Sequence, residues 1–397
     1  MILPILTLIA AICGHVYLVV LFINYVHATG LRERSLKALF GFALAFLAGV
    51  PIIYLIEHLY SPLGVGIRSG PLAVYAACCV LAGGLLTPGV TLIRGLRKPP
   101  TGTSQSSRTI DLRNEHPERR FHGEGFGARL IGLRGNDTLK LRLVESSIEI
   151  PGLPADLSGL TLLQISDLHF STAYDRSYFE LIAEIAARRT ADYVLFTGDL
   201  IDDERCIEWI EPFFSRVQGL AGSYCILGNH DYEKNPEAIR GELARSGFDD
   251  VEGSWRTIEI GSATLALGGT CEPWGRKIDL SSKPKSHITI LLSHSPDVLP
   301  KVAGSGIDFM LAGHNHGGQI RFPAIGPVLM PSRYSRRFDR GFFRQKSTLL
   351  YVSEGIGGRH PYRVGCVPEI ARFTLVPEAS RTRRATSRDD AATLVRA

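Results

Sequence analysis

Three long apolar segments occupy the first hundred residues, and they constrain this chain more than any other feature of its sequence. Residues 2–26 carry no formal charge, and 38–56 and 71–93 form two further apolar runs. Because a helix rises about 1.5 Å per residue, roughly 20 apolar residues cross the hydrocarbon core of a bilayer. We therefore predict about three membrane-spanning helices within residues 1–95.

Two alternatives compete with this interpretation: a cleaved signal peptide for the first segment, and buried core helices for all three. In a signal peptide the basic residues precede the apolar stretch, whereas here they follow it, at Arg32, Arg34 and Lys37. Core helices carry a polar face, which these segments lack. Both observations favour helices that stay in the membrane.

The basic residues around the segments predict the orientation of the chain. The loop after the first segment holds three basic residues, the loop after the second holds only Arg68, and a further cluster follows the third (Arg94, Arg97 and Lys98). Cytoplasmic loops are enriched in Lys and Arg. We expect a multi-pass protein of the plasma membrane or the cell inner membrane, with the N-terminus outside and everything after residue 93 in the cytoplasm.

The rest of the chain has an ordinary globular composition and divides into three predicted parts. Residues 96–138 are rich in Pro, Ser and Gly and are expected to form an exposed polar linker with local structure near 121–131. Residues 139–376 are expected to form a globular domain, and 377–397 a disordered basic tail. The mild net charge of +5 argues against nucleic acid as a partner. Seven cysteines without regular spacing argue against a disulfide framework and suit a reducing compartment.

Within the globular domain, short strand-like runs first alternate with helical patterns and then follow one another directly. This order is typical of a layered α/β (α+β) sandwich with mixed β-sheets. The predicted helices are 177–188, 204–217 and 236–246. The predicted strands are 160–165, 193–196, 223–227, 257–260, 264–267, 288–292, 309–311, 349–352 and 369–375.

Polar residues of the kinds that bind metals directly follow five of these strands. The five clusters are 166–169 (SDLH), 197–199 (TGD), 228–231 (GNHD), 293–294 (SH) and 313–318 (GHNHGG). Ligands in open α/β sheets gather beyond the carboxyl ends of the strands, so we expect the five clusters at one rim. Imidazole and carboxylate groups together suit Mn, Fe, Zn or Co.

Each cluster alone has a simpler explanation. Asn and Asp favour turns, so Asn229 and Asp231 could mark a turn only. An isolated His294 would more often be a core histidine whose ring nitrogens are hydrogen-bonded. Five clusters in this order, each at the end of a strand, nevertheless indicate a metal centre.

The clusters resemble, in content and in order, the five-block signature of the calcineurin-like metallophosphoesterases: D-x-H, G-D, G-N-H-[DE], H and G-H-x-H. The resemblance covers about residues 147–375. Four stretches are also similar to a membrane-associated branch that includes UDP-2,3-diacylglucosamine pyrophosphatase-type enzymes of lipid A synthesis: 150–154, 313–320, 354–357 and 364–370. Many relatives have Thr where this chain has Asn315, a position that is not a ligand.

The resemblance implies a role for each polar residue of the clusters. The implied metal ligands are Asp167, His169 and His316 for a first cation, Asn229, His294 and His314 for a second, and Asp199 for both. The two divalent ions are expected to be Mn²⁺, with Fe, Zn or Co as alternatives. His230 would lie near the leaving-group oxygen, with Asp231 orienting it. The implied reaction is in-line attack of metal-bound hydroxide on a phosphoester or pyrophosphate.

Basic and aromatic residues flank the clusters and bear on the choice of substrate. Guanidinium groups match phosphate oxygens, so four arginines after the last cluster are candidates for binding a second phosphate: Arg333, Arg336, Arg337 and Arg340. Nearby aromatic residues are candidates for contact with acyl chains or the bilayer: Trp274, Phe338, Phe342 and Phe343. The alternative is a solvated loop whose arginines pack on these rings.

Three functions remain open on these grounds. We expect hydrolysis of UDP-2,3-diacylglucosamine to a lipid monophosphate and UMP, with lipid-linked phosphates and membrane lipids as partners. A less specific phospholipid or nucleotide phosphodiesterase or phosphatase is the first alternative, and a catalytically inactive metal-binding membrane scaffold is the second. The complete ligand set together with His230 argues against the scaffold.

Overall fold

The computed structural model describes residues 2–31, 33–60, 70–323 and 325–378. Two residues used to predict orientation, Arg32 and Arg68, lie outside this described part, and so does the predicted tail beyond residue 378.

Three helical segments of the first 95 residues are long and apolar enough to cross a membrane: Ile5–His27, Arg34–Ile56 and Leu72–Gly95. They lie in α1 (Ile2–His27), in α2 (Glu33–Tyr60), and in a third rod of α3 (Gly70–Leu81), a π-helical turn (Ala82–Leu86) and α4 (Thr87–Gly95). A Cβ at Gly14 would overlap the backbone of Cys79. Small residues therefore let α1 and the third rod approach closely.

Two polar side chains of α1 connect the apolar helices to one another and to the globular domain. The Nδ1 atom of His15 lies 2.7 Å from the Tyr75 hydroxyl, and its Nε2 lies 3.1 Å from the carbonyl oxygen of Leu47. The amide of Asn24 donates to Ser335 Oγ (3.0 Å) and accepts from the backbone N–H of Met330 (2.8 Å). The end of α1 is therefore docked on the globular domain.

The segment expected to be a linker contains a strand and two short helices. Strand β1 (Thr103–Asp111) pairs antiparallel with β2 (Lys140–Ile150) along its whole length, and α5 (Leu112–Glu115) and α6 (Gly125–Ile131) follow it. The linker prediction for 96–138 is corrected accordingly. Most side chains of β1 are exposed, so backbone hydrogen bonding at a sheet edge stabilises it and its sequence carries little apolar signal.

Two mixed sheets form the centre of the globular domain. The other strands of the first sheet are β3 (Thr161–Ile165), β4 (Tyr193–Thr197), β5 (Gly222–Ile226), β6 (Asp249–Asp250) and β15 (Glu369–Pro377). Those of the second sheet are β7 (Trp255–Ile260), β8 (Ala263–Thr270), β9 (Ile288–Ser293), β10 (Phe309–Ala312), β13 (Gly341–Gln345) and β14 (Thr348–Val352). The strand orders are β1-β2-β15-β3-β4-β5-β6 and β13-β14-β10-β9-β8-β7, and β11 (Arg321–Phe322) pairs separately with β12 (Gly326–Pro327).

The two sheets pack face to face, and helices cover their outer faces. Leu195, Ile226 and Leu292 are fully buried between the sheets. Helices α7 (Arg176–Ala187), α8 (Ile210–Phe214) and α10 (Pro236–Arg245) cover the first sheet, and α11 (Leu299–Val302) covers the second. Parallel strands buried on both faces are continuous apolar runs, which is why the sequence revealed them. The prediction of a layered α/β sandwich is confirmed.

A buried carboxylate connects the end of α4 to the globular domain. Asp339 lies 3.3 Å from Arg94, 3.3 Å from Arg97 and 2.9 Å from Arg321, and it is 2% exposed. Burial alone would raise the pKa of Asp339, but the neighbouring guanidinium groups, Arg321 and Arg97 foremost, hold that pKa below its usual value.

Changing Asp339→Asn is expected to lower the free energy of unfolding at pH 7 by about 3 kcal/mol, because it leaves partly buried arginines without their carboxylate. Since the folded-state pKa is lowered, this stabilisation is complete above the ordinary carboxyl pKa of about 4 and is lost as the pH falls below it. Denaturant unfolding in detergent at several pH values measures the difference. Asp249→Asn, which alters a half-exposed partner of Arg256, is the matched control; equal stability of all three proteins at pH 7 would contradict the prediction.

Candidate metal centre

The five polar clusters meet at one rim of the domain, beyond the carboxyl ends of β3, β4, β5, β9 and β10. Most of the predicted ligands are more than nine-tenths buried: Asp167, His169, Asp199, His294, His314 and His316. Asn229 and His230 begin the short helix α9 (Asn229–Tyr232) and are partly exposed. Burial of so many imidazole and carboxylate groups is costly unless they are paired or bind cations.

One group of side chains consists of Asp167, His169, Asp199 and His316, whose potential ligand atoms all lie within 4.8 Å of one another. The Nε2 atoms of His169 and His316 are 3.0 Å apart. His316 Nε2 is 3.4 Å from Asp167 Oδ1, and His169 Nε2 is 3.4 Å from Asp199 Oδ2.

A second group consists of Asp199, His294 and His314. His294 Nε2 lies 3.1 Å from His314 Nδ1, 3.0 Å from Asn229 Oδ1 and 3.3 Å from Asp199 Oδ1. Asp199 therefore directs one carboxylate oxygen toward each group. The structure brings all seven predicted ligands together, in the two sets that the sequence resemblance implies.

The orientation of the histidine rings fits metal binding. For three of the four histidine ligands, the ring nitrogen that faces away from the two groups meets an oxygen: His169 Nδ1 at Asp202 Oδ2 (3.0 Å), His294 Nδ1 at Thr197 O (2.9 Å) and His314 Nε2 at Pro331 O (2.9 Å). In the fourth, His316, Nδ1 instead lies 3.1 Å from Arg363 Nη2. The bonds to oxygen leave the inward nitrogens of those three rings as lone-pair donors and are usual around metal-binding histidines. The mixed nitrogen and oxygen donors would suit two divalent ions such as Mn, Fe, Zn or Co.

The backbone at the centre is held in an unusual conformation. Five of the ligand positions have φ between 45° and 68°: Asp167, His169, Asp199, His314 and His316. Residues other than glycine rarely adopt this left-handed region, and strain of this kind concentrates at functional sites. A Cβ at Gly228 would overlap Asp199, and one at Gly313 would overlap Asp167. The glycines in the clusters therefore make room for the ligands.

His230 is oriented by a residue that the sequence did not single out. Asp202 Oδ1 lies 2.5 Å from His230 Nδ1, and its other oxygen contacts His169. The predicted partner, Asp231, instead accepts hydrogen bonds from three backbone N–H groups, those of Leu200, Ile201 and Gly228. The orienting role predicted for Asp231 is corrected, because its side chain turns back to the start of its own helix. The short spacing between Asp199 and Asp202 is the sequence feature that could have indicated this role for Asp202.

The carboxylates around His230 favour its protonated form. Burial alone lowers the pKa of this imidazole, but Asp199 and the hydrogen bond to Asp202 together raise it to about 10. Burial of Asp202 is likewise outweighed by His169 and His230, which hold the pKa of that carboxyl well below its usual range. These carboxylates therefore favour the imidazolium form of His230, the form that can donate a proton.

A cavity of about 650 Å³ opens above the metal centre. Part of its lining belongs to the metal-binding rim and consists of predicted metal ligands together with His230, Trp274, Arg359 and His360. The rest comes from the end of α1, the start of α2 and the connection between them: His27, Leu31, Leu36, Lys37 and Phe40. The Trp274 ring centroid lies 4.7 Å from that of His314. Sequence reasoning did not anticipate that the α1–α2 connection would form the roof of the site.

The four arginines predicted to bind a second phosphate lie elsewhere. Arg340 donates to Glu354 Oε1 (2.8 Å), and Arg333, Arg336 and Arg337 line a different cavity beside the membrane helices. None of the four lines the cavity above the metal centre in the part of the chain that the structure describes. The prediction is corrected because the segment that carries Arg333, Arg336 and Arg337 packs against α1, and these side chains line the cavity there.

The change Asp202→Asn is expected to lower kcat by about 10- to 100-fold, because His230 loses the carboxylate that orients and charges it. Since Asp202 raises the pKa of His230, its removal should lower that pKa and shift the alkaline limb of the pH–rate profile to lower pH. Rates between pH 6 and pH 10 measure the shift. The neighbouring surface change Asp203→Asn is the control, and an unmoved alkaline limb in Asp202→Asn would count against the assignment.

Comparison with known proteins agrees with this geometry. Residues 160–318 match the family described as calcineurin-like phosphoesterase. The chain is 29% identical over 248 residues to the uncharacterized metallophosphoesterase YkuE of Bacillus subtilis, a match that covers 59% of this chain and 85% of that protein. It is 26% identical over 222 residues to the phosphodiesterase YaeI of Escherichia coli, covering 54% and 82%. It is also 28% identical over 255 residues to a zebrafish (Danio rerio) transmembrane protein with metallophosphoesterase domain, covering 59% and 57%.

The match to the calcineurin-like phosphoesterase family therefore spans residues 160–318, the part of the chain that holds all five clusters, as their content and order predicted. The chain is a metal-dependent phosphoester hydrolase. Three apolar helices associate it with a membrane.

Proposed function

We propose that this protein is a membrane-anchored dinuclear phosphodiesterase that hydrolyses a lipid-linked phosphoester or pyrophosphate, with UDP-2,3-diacylglucosamine as the first candidate substrate. The observation that carries this proposal is the roof of the cavity. Residues of α1 and α2, two of the helices that are long and apolar enough to cross a membrane, lie opposite the metal centre in one continuous cavity.

The lining of the cavity includes both apolar and cationic side chains, which a lipid-linked phosphate requires. Leu31, Leu36 and Phe40 present apolar side chains at its membrane side, and Leu31 and Phe40 are more than one-third exposed. Lys37 and Arg359 line it as well and would suit the negative charges of a phosphate or pyrophosphate. An acyl chain would leave the cavity toward the bilayer while the phosphate faces the metal ligands.

The residues of the centre have separable tasks in the proposed reaction. When bound, two divalent cations, Mn²⁺ as the first candidate, would polarise the phosphoryl oxygens and lower the pKa of a water molecule. Asp199 would hold both ions. His230 would give its proton to the departing oxygen, and Asp202 would keep the ring in position. By the positive-inside rule, Arg34, Lys37 and Arg94 would place this reaction at the cytoplasmic face.

A less specific phosphodiesterase acting on other phospholipids or on nucleotides is the second candidate. The Escherichia coli relative is named a phosphodiesterase without a lipid substrate, which supports diester chemistry alone. An inactive scaffold is disfavoured because all seven predicted ligands and His230 are in place.

A substrate panel tests the proposal. The full-length protein, purified in detergent with Mn²⁺, is offered UDP-2,3-diacylglucosamine, bis(p-nitrophenyl) phosphate and phosphatidylglycerol. Of the three substrates, UDP-2,3-diacylglucosamine is expected to have the highest kcat/KM, measured as the release of UMP. The change Asn229→Ala should abolish this release, whereas the control Asn114→Ala, at an exposed position, should retain it. Faster cleavage of the aryl diester or of phosphatidylglycerol would favour the less specific enzyme. Full activity of Asn229→Ala would overturn the proposed metal centre.

The roof is tested separately by Phe40→Ala. Removing this ring should lower kcat/KM for the lipid substrate by about tenfold, the effect of roughly 1.5 kcal/mol of lost apolar contact. The aryl diester, which has no acyl chain, should be cleaved at the unchanged rate. Phe126→Ala, a change at an exposed ring of α6, is the matched control. Equal losses on both substrates would show that the ring supports the fold and not the lipid.

A further inference from the structure

A second, larger cavity lies between the membrane helices and the loop that follows the last metal-binding cluster. Its volume is about 930 Å³, and among the described residues it shares no lining residue with the cavity above the metal centre. We call it the arginine cavity. Its lining includes Arg333, Arg336 and Arg337, which were predicted to bind a phosphate of the substrate but do not line the cavity above the metal centre.

One wall of the arginine cavity is apolar and belongs to the helices that could cross a membrane. Tyr17 and Leu21 of α1 and Val90 and Ile93 of the third rod line it. Phe338, Phe342 and Phe343 continue this surface on the globular domain. The cavity therefore joins the lipid-facing helices to the surface of the hydrolase domain.

The remaining lining is strongly cationic. Seven basic side chains line the cavity: Arg94, Arg97, Lys98, Arg333, Arg336, Arg337 and Arg344. No Asp or Glu occurs among the described lining residues. Asp339, which contacts Arg94 and Arg97, also pairs with Arg321, so one carboxylate serves three guanidinium groups. The excess positive charge is complementary to an anion.

Arg336 points most directly to a missing ligand. Its side chain is 7% exposed, and its guanidinium lies 5.8 Å from the centroid of the Tyr17 ring. Nη1 donates to the carbonyl oxygen of Ile325, whereas Nη2 is buried without a hydrogen-bond partner among the described residues. Burial lowers the pKa of Arg336, and the neighbouring Tyr17 hydroxyl and Asp339 offset this lowering only in part. A buried cationic donor of this kind is costly unless an anion accepts from it.

We propose that the arginine cavity binds an anionic glycerophospholipid of the bilayer. The headgroup phosphate would accept hydrogen bonds from Arg336 and its exposed neighbours Arg333 and Arg337, and an acyl chain would lie along Leu21 and Ile93. Guanidinium forks match phosphate oxygens, and the apolar wall belongs to helices that are long and apolar enough to be surrounded by lipid. This lipid is not the substrate, and the proposal is independent of the substrate assigned above.

Binding is measured by native mass spectrometry of the full-length protein in neutral detergent, titrated with phosphatidylglycerol, phosphatidylcholine or inorganic phosphate. Phosphatidylglycerol should bind at least about tenfold more tightly than phosphatidylcholine, because the basic lining of the cavity repels the choline cation although both lipids carry a phosphate. Inorganic phosphate, offered at the same concentrations, should not displace it. Equal affinity for the two lipids, or displacement by phosphate, would overturn the proposal; the second result would identify a site for a free anion.

The double variant Arg333→Gln/Arg337→Gln changes two exposed arginines of the cavity, so its fold should be preserved. Its affinity for phosphatidylglycerol should fall by about tenfold or more. Arg216→Gln/Arg245→Gln removes two exposed arginines far from the cavity lining and is the charge-matched control. Equal losses in both variants would reduce the effect to net charge and overturn the site.

Two cross-checks separate this cavity from the metal centre. Asn229→Ala should keep its affinity for phosphatidylglycerol while losing hydrolysis. Arg333→Gln/Arg337→Gln should still cleave a soluble aryl diester at the rate of the unaltered protein. Loss of lipid binding in Asn229→Ala would instead place the lipid at the metal centre and contradict a second site.

Discussion

Replacing Asp199 by asparagine is expected to lower phosphodiester hydrolysis at least about a thousandfold and to remove most of the bound metal. Its two oxygens lie within 3.4 Å of ligand nitrogens in both groups, Oδ2 near His169 and Oδ1 near His294. The loss of this proposed bridging carboxylate should therefore weaken both ion sites at once. A thousandfold loss corresponds to about 4 kcal/mol of transition-state stabilisation, a magnitude in keeping with the several kcal/mol that bound metal ions supply.

Metal content by elemental mass spectrometry and kcat by diester cleavage measure this prediction. Asparagine has nearly the shape of aspartate, so circular dichroism should show an unchanged fold. Asp249→Asn, which removes an exposed carboxylate on β6, should retain two ions per chain and full activity. Two tightly bound ions in Asp199→Asn would exclude its role as the bridge.

The change His230→Gln is expected to lower kcat by about 10²–10⁴, the usual contribution of a general acid, while metal content stays unchanged. The Asp202 carboxylate holds the His230 ring and favours its protonated form. The loss should depend on the leaving group. An alkoxide needs a proton as it departs, whereas p-nitrophenolate is stable without one.

Kinetics with paired substrates therefore distinguish a proton donor from a structural residue. The ratio of unaltered to His230→Gln rates should be large for an alkyl diester and small for bis(p-nitrophenyl) phosphate. His287→Gln, an exposed histidine between β8 and β9, is the matched control. The same loss on both substrates would point to distorted metal binding and away from proton transfer.

The fold was largely predictable because its central strands are buried on both faces. Such strands appear in the sequence as unbroken apolar runs, and each of the five metal-binding clusters begins where one run ends. The ligands could be assigned because their types and order follow a known family pattern. Strand β1 was missed because an exposed edge strand has the composition of a linker.

The parts of the site that escaped prediction depend on long-range packing. Asp202 and its neighbour Asp203 are both acidic, and local sequence does not distinguish them. In the folded chain Asp202 lies beside His230, whereas Asp203 pairs with Arg205. The arginines at 333–337 come after the last cluster in the sequence, yet their segment contacts α1 and the residues just after it, and none of these arginines lines the cavity above the metal centre. Neither fact is encoded in local spacing.

The docking of Asn24 on Met330 and Ser335 links the substrate range of the enzyme to the assembly of its two parts. The lining residues of the roof lie between His27 and Phe40, whereas the metal ligands lie after residue 166. The roofed cavity therefore forms only when the apolar helices are docked on the globular domain. If this docking is lost, we expect the chain to keep its metal ligands and its cleavage of aryl diesters but to lose its preference for lipid substrates.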